Sequence, residues 1–375
     1  MLAHEGESVA GVLVIIVLAC VLVFAFVCHV SDERAGGAGG AAARDEGKEQ
    51  AMPRGLPREL TEIPDDYLRS ADSQGQLVDL YYDTYESFSY DSRSQPLRKH
   101  AVVYLPAGYS GDQRYNVVYL MHGGWSNEDA YLGTPDSPSR FKNVLDNAMA
   151  RGDVQPMIVV CPTYNNTSGD DSGDYALALR LTDNYHNELV SDLMPAVEGT
   201  YSTYAEDVTP DGLMASRDHR AFMGFSMGSV CTWHTFQHCL DYFRYFLPSS
   251  GDLTTDGSEM AQMVCDQGHA PDDFFIYAMS GTNDFARTGF KQQIESMAAV
   301  DDGTFRRVSE NSDGNLYYLE QKGGTHDGQY ATEYFYNGMR WLWHETGGQE
   351  SADDDAQTLY TLDSTVAEVE ADPAF

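Results

Sequence analysis

Arg220-Ala221-Phe222-Met223-Gly224-Phe225-Ser226-Met227-Gly228 is the stretch whose reading decides the fold. From Ala221 to Phe225 it is a short apolar run, as expected of a buried strand. Gly224 to Gly228 then match G-x-S-x-G, and a helical pattern continues from Met227 to about Leu240. A strand, a tight strained turn and a helix in that order leave the serine exposed at the sheet edge. The flanking glycines let neighbouring backbone approach without a Cβ. The helix N-terminus behind the serine favours negative charge. The bare pattern is common, and a serine there can also be a helix N-cap. The strand–turn–helix context makes Ser226 the candidate nucleophile.

On both sides of this stretch, strands and helices alternate. Leu77–Tyr85 and His100–Leu105 read as early, antiparallel strands. Asn116–Met121, Met157–Cys161, Phe243–Leu247, Phe274–Met279 and Asn315–Gln321 are short apolar or mixed runs of strand length. Arg140–Ala150, Gly289–Ala299 and Gln329–His344 have helical spacing. His186–Val197 puts Leu189, Leu193 and Val197 on one helical face, with Pro195 kinking that helix or ending it. The pattern predicts an α/β fold, a mostly parallel central sheet with helices on both faces. Chemistry in such sheets gathers at the carboxyl ends of the strands.

A serine hydroxyl needs a base to take its proton. In a strand–turn–helix serine hydrolase the chain order is Ser, then Asp or Glu, then His. His326 stands in Gly323-Gly324-Thr325-His326-Asp327, just past the strand NLYYLEQ, on a loop able to reach the serine. His344, near the end of the last helix, is better read as packing or capping. Asp284 ends Ser280-Gly281-Thr282-Asn283-Asp284, directly after FFIYAM, and is the candidate orienter of the imidazole. A turn-capping role is its plain alternative, and Asp327 and Asp301 are runners-up. An oxyanion needs two N–H donors. Met227, following the serine, supplies one; Gly124 or Trp125, in His122-Gly123-Gly124-Trp125, supplies the other. His122 opens that loop and is read as its brace rather than as a base. Trp125 and Tyr164 are the candidate substrate contacts, and Tyr131 and Trp341 are further aromatics able to shape a site.

The 375 residues include 23 basic and 58 acidic ones, a net charge of −35. So negative a surface repels phosphate backbones, which excludes nucleic acid as an expected partner. A small-molecule or polysaccharide ester fits better. Val9 to Val30 is an apolar run long enough to span a bilayer at ~1.5 Å per residue. It begins without Lys or Arg and exceeds an ordinary signal core, so residues 1–30 are expected as a retained anchor, with a cleaved signal or a lipidated Cys20 as alternatives. An extracytoplasmic enzyme, anchored or secreted, follows. Residues 31–70 read as a flexible linker around GGAGGAAA. Residues 71–347 form the catalytic domain, and 348–375, with eight acids and no base, a disordered tail. Cys161, Cys231, Cys239 and Cys265 read as buried thiols, although Cys231 or Cys239 pairing with Cys265 stays open. No metal-ligand spacing and no cofactor motif stands out.

The motifs LMHGGW, GFSMGS, SGTND and GGTHD, in that order, resemble the esterase D-like group of α/β-hydrolases. That group includes the feruloyl and acetylxylan esterases of carbohydrate esterase family one, S-formylglutathione hydrolases, enterochelin esterases and mycolyltransferases. The resemblance spans roughly residues 76–346. It implies a Ser226–His326–Asp284 triad working through an acyl-enzyme, with Met227 and the 123–125 loop as oxyanion hole. It also implies a carboxylic-ester substrate, feruloyl or acetyl esters of plant polysaccharide fitting an exported chain best. An acyltransferase of the mycolyltransferase type, or a general small-ester esterase, would use the same residues. Ser229 stands where many members of the group have a second glycine, and Gly328-Gln329-Tyr330 where feruloyl esterases often place a tryptophan.

Overall fold

The computed structural model describes residues 56–308 and 314–343. The apolar run 9–30, the GGAGGAAA stretch and the acidic tail 348–375 lie outside the described residues. Eight strands form one sheet: β1 (Gln76–Tyr85), β2 (Pro96–Leu105), β3 (Asn116–Met121), β4 (Met157–Cys161), β5 (Arg220–Phe225), β6 (Tyr245–Ser249), β7 (Phe275–Gly281) and β8 (Leu316–Gln321). Their spatial order is β1-β2-β4-β3-β5-β6-β7-β8. The first two junctions are antiparallel and the remaining five are parallel. Every residue of β3, β4, β5, β6 and β7 is buried, as central strands covered on both faces must be. The edge strand β1 mixes buried and exposed positions along its length.

Helices cover both faces. On one side lie α1 (Arg140–Ala150) and the C-terminal α8 (Gly328–Trp341); on the other, α2 (Tyr175–Glu188), α3 (Met194–Thr200), α4 (Pro210–Ala215), α5 (Met227–His238), α6 (Gly257–Asp266) and α7 (Arg287–Ala298). The first core includes Val118, Leu120, Met223, Leu247 and Tyr334; the second includes Tyr119, Phe222, Trp233, Phe236 and Phe290. Adjacent residues of β3 and β5 therefore feed opposite cores, because successive strand side chains alternate faces. Each fully buried Leu, Phe or Met contributes about 1.5–3 kcal/mol.

Three expectations need correction. Residues 56–70, expected within the linker, are docked: Leu60 and Tyr67 are buried. The Tyr67 hydroxyl donates to Asp153 at 2.5 Å, and Asn337 accepts from the Thr61 amide at 2.9 Å. These apolar anchors and hydrogen bonds together hold a charged, proline-containing stretch against the domain. The helix expected over 186–197 is the end of α2, a wide π-turn at Leu189–Leu193, and α3. Pro195 lies in the first turn of α3, where a missing N–H costs no hydrogen bond. Finally, Cys161, Cys231 and Cys239 are buried free thiols, so the pairing of Cys231 or Cys239 with Cys265 that the sequence left open does not form. Among the described residues no helix is long and apolar enough to cross a membrane.

Candidate active site

Ser226 occupies the turn between β5 and α5 with φ 60° and ψ −120°. A non-glycine residue held there is strained, and the surroundings must over-determine it. Two glycines explain how. A Cβ on Gly224 would collide with the carbonyl of Gly228, and a Cβ on Gly228 with the carbonyl of Met121. Only glycine lets α5 sit this close to β3 and β5. The Ser226 N–H donates to Ser249 on β6 at 2.9 Å, which fixes the turn to the neighbouring strand.

The three residues singled out as nucleophile, base and orienter meet. Ser226 Oγ lies 2.8 Å from His326 Nε2. His326 Nδ1 lies 2.8 and 3.0 Å from the two oxygens of Asp284. A carboxylate can only accept, so Nδ1 carries the proton and Nε2 is left to accept from the serine hydroxyl. Burial of Asp284 pushes its carboxyl pKa up. Hydrogen bonds from His326, the Ala286 amide and Ser250 more than offset this, so it titrates below its ordinary range. The carboxylate therefore stays charged beside the imidazole at neutral pH. The ring of His326 sits between two phenylalanines, Phe225 at 4.5 Å and Phe285 at 4.2 Å between centroids. Asp327, the runner-up acid, instead caps α8 by accepting from Gln329 and Tyr330.

The loop after β3 is held by its neighbours. His122 is buried, donates from Nδ1 to the Gly123 carbonyl at 2.7 Å and accepts at Nε2 from Thr163 at 2.7 Å. Burial lowers its pKa to about 4, so it is neutral at pH 7. That bears out its reading as a brace. The Tyr164 hydroxyl donates to the same Gly123 carbonyl at 3.0 Å, and its ring stacks on His122 at 4.4 Å. Tyr164 is buried, so its assignment as a substrate contact is wrong: its polar tip is already engaged. Trp125 also needs correction as an oxyanion donor. Its N–H donates to the Ser172 carbonyl at 3.0 Å. Gly124 remains: its N–H shares a planar peptide with the Gly123 carbonyl, so the two donors that fix that oxygen also aim the Gly124 N–H the opposite way.

Trp125 is exposed and stands at φ 53°. Phe285, not singled out from sequence, is exposed as well. Its signal was its place directly after the acid in SGTNDF. Tyr131 packs edge-on against Phe335, and Trp341 is buried against Tyr245, Phe275 and Tyr277. Packing accounts for both.

The strand order and the strained serine between strand and helix define an α/β-hydrolase. A family model described as "Putative esterase" matches residues 92–256. The feruloyl esterase module of Clostridium thermocellum, solved as a serine-to-alanine mutant complexed with sinapinate, is 34% identical with a TM-score of 0.65; the match covers 78% of this chain and 96% of that one. The chain belongs to this esterase family. Endo-1,4-beta-xylanase Y of Acetivibrio thermocellus is 36% identical over 288 residues, 75% of this chain. An endo-1,4-beta-xylanase/feruloyl esterase of Xylanibacter ruminicola is 27% identical over 178 residues, 46% of this chain. The matches span only 24% and 22% of those two curated relatives.

Proposed function

We propose that the chain is a serine carboxylic-ester hydrolase acting on feruloyl or related phenolic esters of plant polysaccharide, with Ser226, His326 and Asp284 as its triad. The observation that carries this is the bridge His326 makes from Ser226 to a buried carboxylate, in a chain 34% identical to a feruloyl esterase module.

The chemistry follows from the geometry. Ser226 Oγ attacks the ester carbonyl carbon while His326 Nε2 takes its proton. Asp284 holds the tautomer and stabilises the imidazolium that forms. The new oxyanion receives the N–H groups of Met227 and Gly124, the donors left for it at the start of α5 and in the β3 loop. Collapse breaks the ester C–O bond, and His326 returns the proton to the departing alcohol. Water, deprotonated by the same imidazole, then releases the acid. Exposed Phe285, packed against the His326 ring, and exposed Trp125, on the loop after β3 that carries Gly124, suit a planar phenolic acyl group or a sugar face.

Turnover of methyl ferulate, methyl sinapate and p-nitrophenyl acetate tests the reading. Ser226→Ala should abolish all three, and the phenolic esters should have the higher kcat/KM. Acetyl ester preferred over feruloyl would leave a general small-ester esterase. Acyl transfer to an added sugar alcohol in preference to water would make it a transferase. As part of the same proposal, Val9–Val30 anchors the enzyme on the extracytoplasmic side. Its recovery in the soluble fraction of carbonate-washed cells would oppose that.

A further inference from the structure

The strongest unassigned cluster of ligating side chains lies away from the serine. Asp183 projects from α2, and His234 and His238 from α5. One ligand atom from each falls within 4.8 Å of the others. His234 and His238 are four residues apart, hence on one face of α5. At ~1.5 Å per residue they stand about 12 and 18 Å along the helix from Ser226.

The distances fit a coordination polyhedron as well as long hydrogen bonds or ion pairs. Asp183 Oδ1 lies 3.3 Å from His234 Nδ1 and 3.4 Å from His238 Nε2. Both exceed the usual 2.7–3.2 Å N–H···O range. Two ligands about 2.0–2.1 Å from a tetrahedral ion are separated by about 3.3–3.4 Å. One carboxylate oxygen therefore makes two such edges with two imidazoles. The third edge, between the imidazoles, is no longer than 4.8 Å, and rotation of the more exposed His238 would shorten it on binding an ion. His186, from the next turn of α2, stacks on His238 at 4.0 Å and is held by Nδ1 donating to the Asp183 carbonyl at 2.8 Å, which backs the outer ligand. Gln237 Oε1, 3.1 Å from His234 Nδ1, must give way to an ion.

We propose that Asp183, His234 and His238 form a binding site for a divalent transition-metal cation of the zinc type, with water completing the shell. Two imidazole nitrogens and one carboxylate oxygen suit zinc, and disfavour magnesium and calcium, which take oxygen ligands. The ion would tie α2 to α5, the helix that carries the nucleophile at its start. Its effect is structural: stability rises by mass action when the folded state alone binds. Ligand spacing along the chain does not reveal the cluster, because the carboxylate is some fifty positions from the histidines.

The test uses the full chain, tag-free and stripped with EDTA, titrated with Zn²⁺ by calorimetry at pH 7.5. One equivalent should bind with a micromolar or tighter dissociation constant, and the melting midpoint should rise by several degrees. His238→Ala and Asp183→Asn should each weaken binding by about tenfold or more, remove the midpoint shift and leave ester hydrolysis in metal-free buffer unchanged. Co²⁺ should give a visible d–d band in the parent chain that both variants lose. If His238→Ala fails to fold, Asp183→Asn, at a half-exposed surface position, carries the test alone. Binding unchanged in these variants, binding lost only in His326→Ala, or no binding at all would overturn the proposal.

Discussion

His122 and His326 both stand on glycine-rich loops at the carboxyl end of the same sheet, yet their surroundings give them opposite work. His326 faces a charged carboxylate on one nitrogen and a hydroxyl on the other. It can gain a proton during a reaction because Asp284 compensates the charge. His122 faces a carbonyl and a threonine hydroxyl, is buried, and has no carboxylate at hydrogen-bond distance. Its pKa near 4 states the consequence: it cannot hold a proton at neutral pH. A compensating charge distinguishes a base from a brace, and that charge comes from a residue remote in sequence.

This contrast can be broken most severely at the triad. Ser226→Ala or His326→Ala should lower kcat by about 10⁴-fold or more with the fold intact, read by ester turnover and circular dichroism. Asp284→Asn should lower it by about 10³–10⁴-fold, because the imidazole loses both its tautomer and its counter-charge. A loss under tenfold would mean another acid serves. The brace should fail more mildly. His122→Gln should cost about 10–10²-fold in kcat with little change in KM, since it loosens one oxyanion donor without removing it.

The brace also makes a pH prediction. The folded pKa of His122 lies below the unfolded value of about 6.5, so between pH 6.5 and about 4 the unfolded chain binds a proton that the folded chain does not. Its stabilising contribution is thus complete above pH 6.5 and is lost as pH falls toward 4, by up to about 3 kcal/mol. Urea unfolding of His122→Gln should show a shallower decline over that window than the parent. Equal slopes would contradict the assignment. Tyr164→Phe is the smallest step: it removes one of the two hydrogen bonds to Gly123, for about 1 kcal/mol of stability and a few-fold in kcat.

Much of this was legible because the informative signals are local. RAFMGFSMG states a buried strand, a turn that only glycine permits and a helix start, all within nine residues. SGTND and GGTHD each follow a strand, so Asp284 and His326 could be named from position alone. The sheet was legible too, since runs such as NVVYLM and MIVVC have the length and composition of strands covered on both faces. What sequence did not reveal depends on long-range partners. Trp125 looked as good a donor as Gly124 until its N–H met the Ser172 carbonyl. Tyr164 looked like a cleft aromatic until its hydroxyl met Gly123. The docking of residues 56–70 depends on Asn337 and Asp153, far along the chain. The π-turn at Leu189–Leu193 is a local adjustment that lets Pro195 fall in a first turn, and helical periodicity alone reads through it.

The central claim is that His326 activates one serine among all those in the chain. Incubation with a fluorophosphonate, followed by peptide mass spectrometry, tests it most directly. The account predicts a single adduct on the peptide containing Ser226, absent in Ser226→Ala and slowed at least about a hundredfold in His326→Ala. An adduct on a different serine, or labelling that proceeds unchanged in either variant, would contradict it.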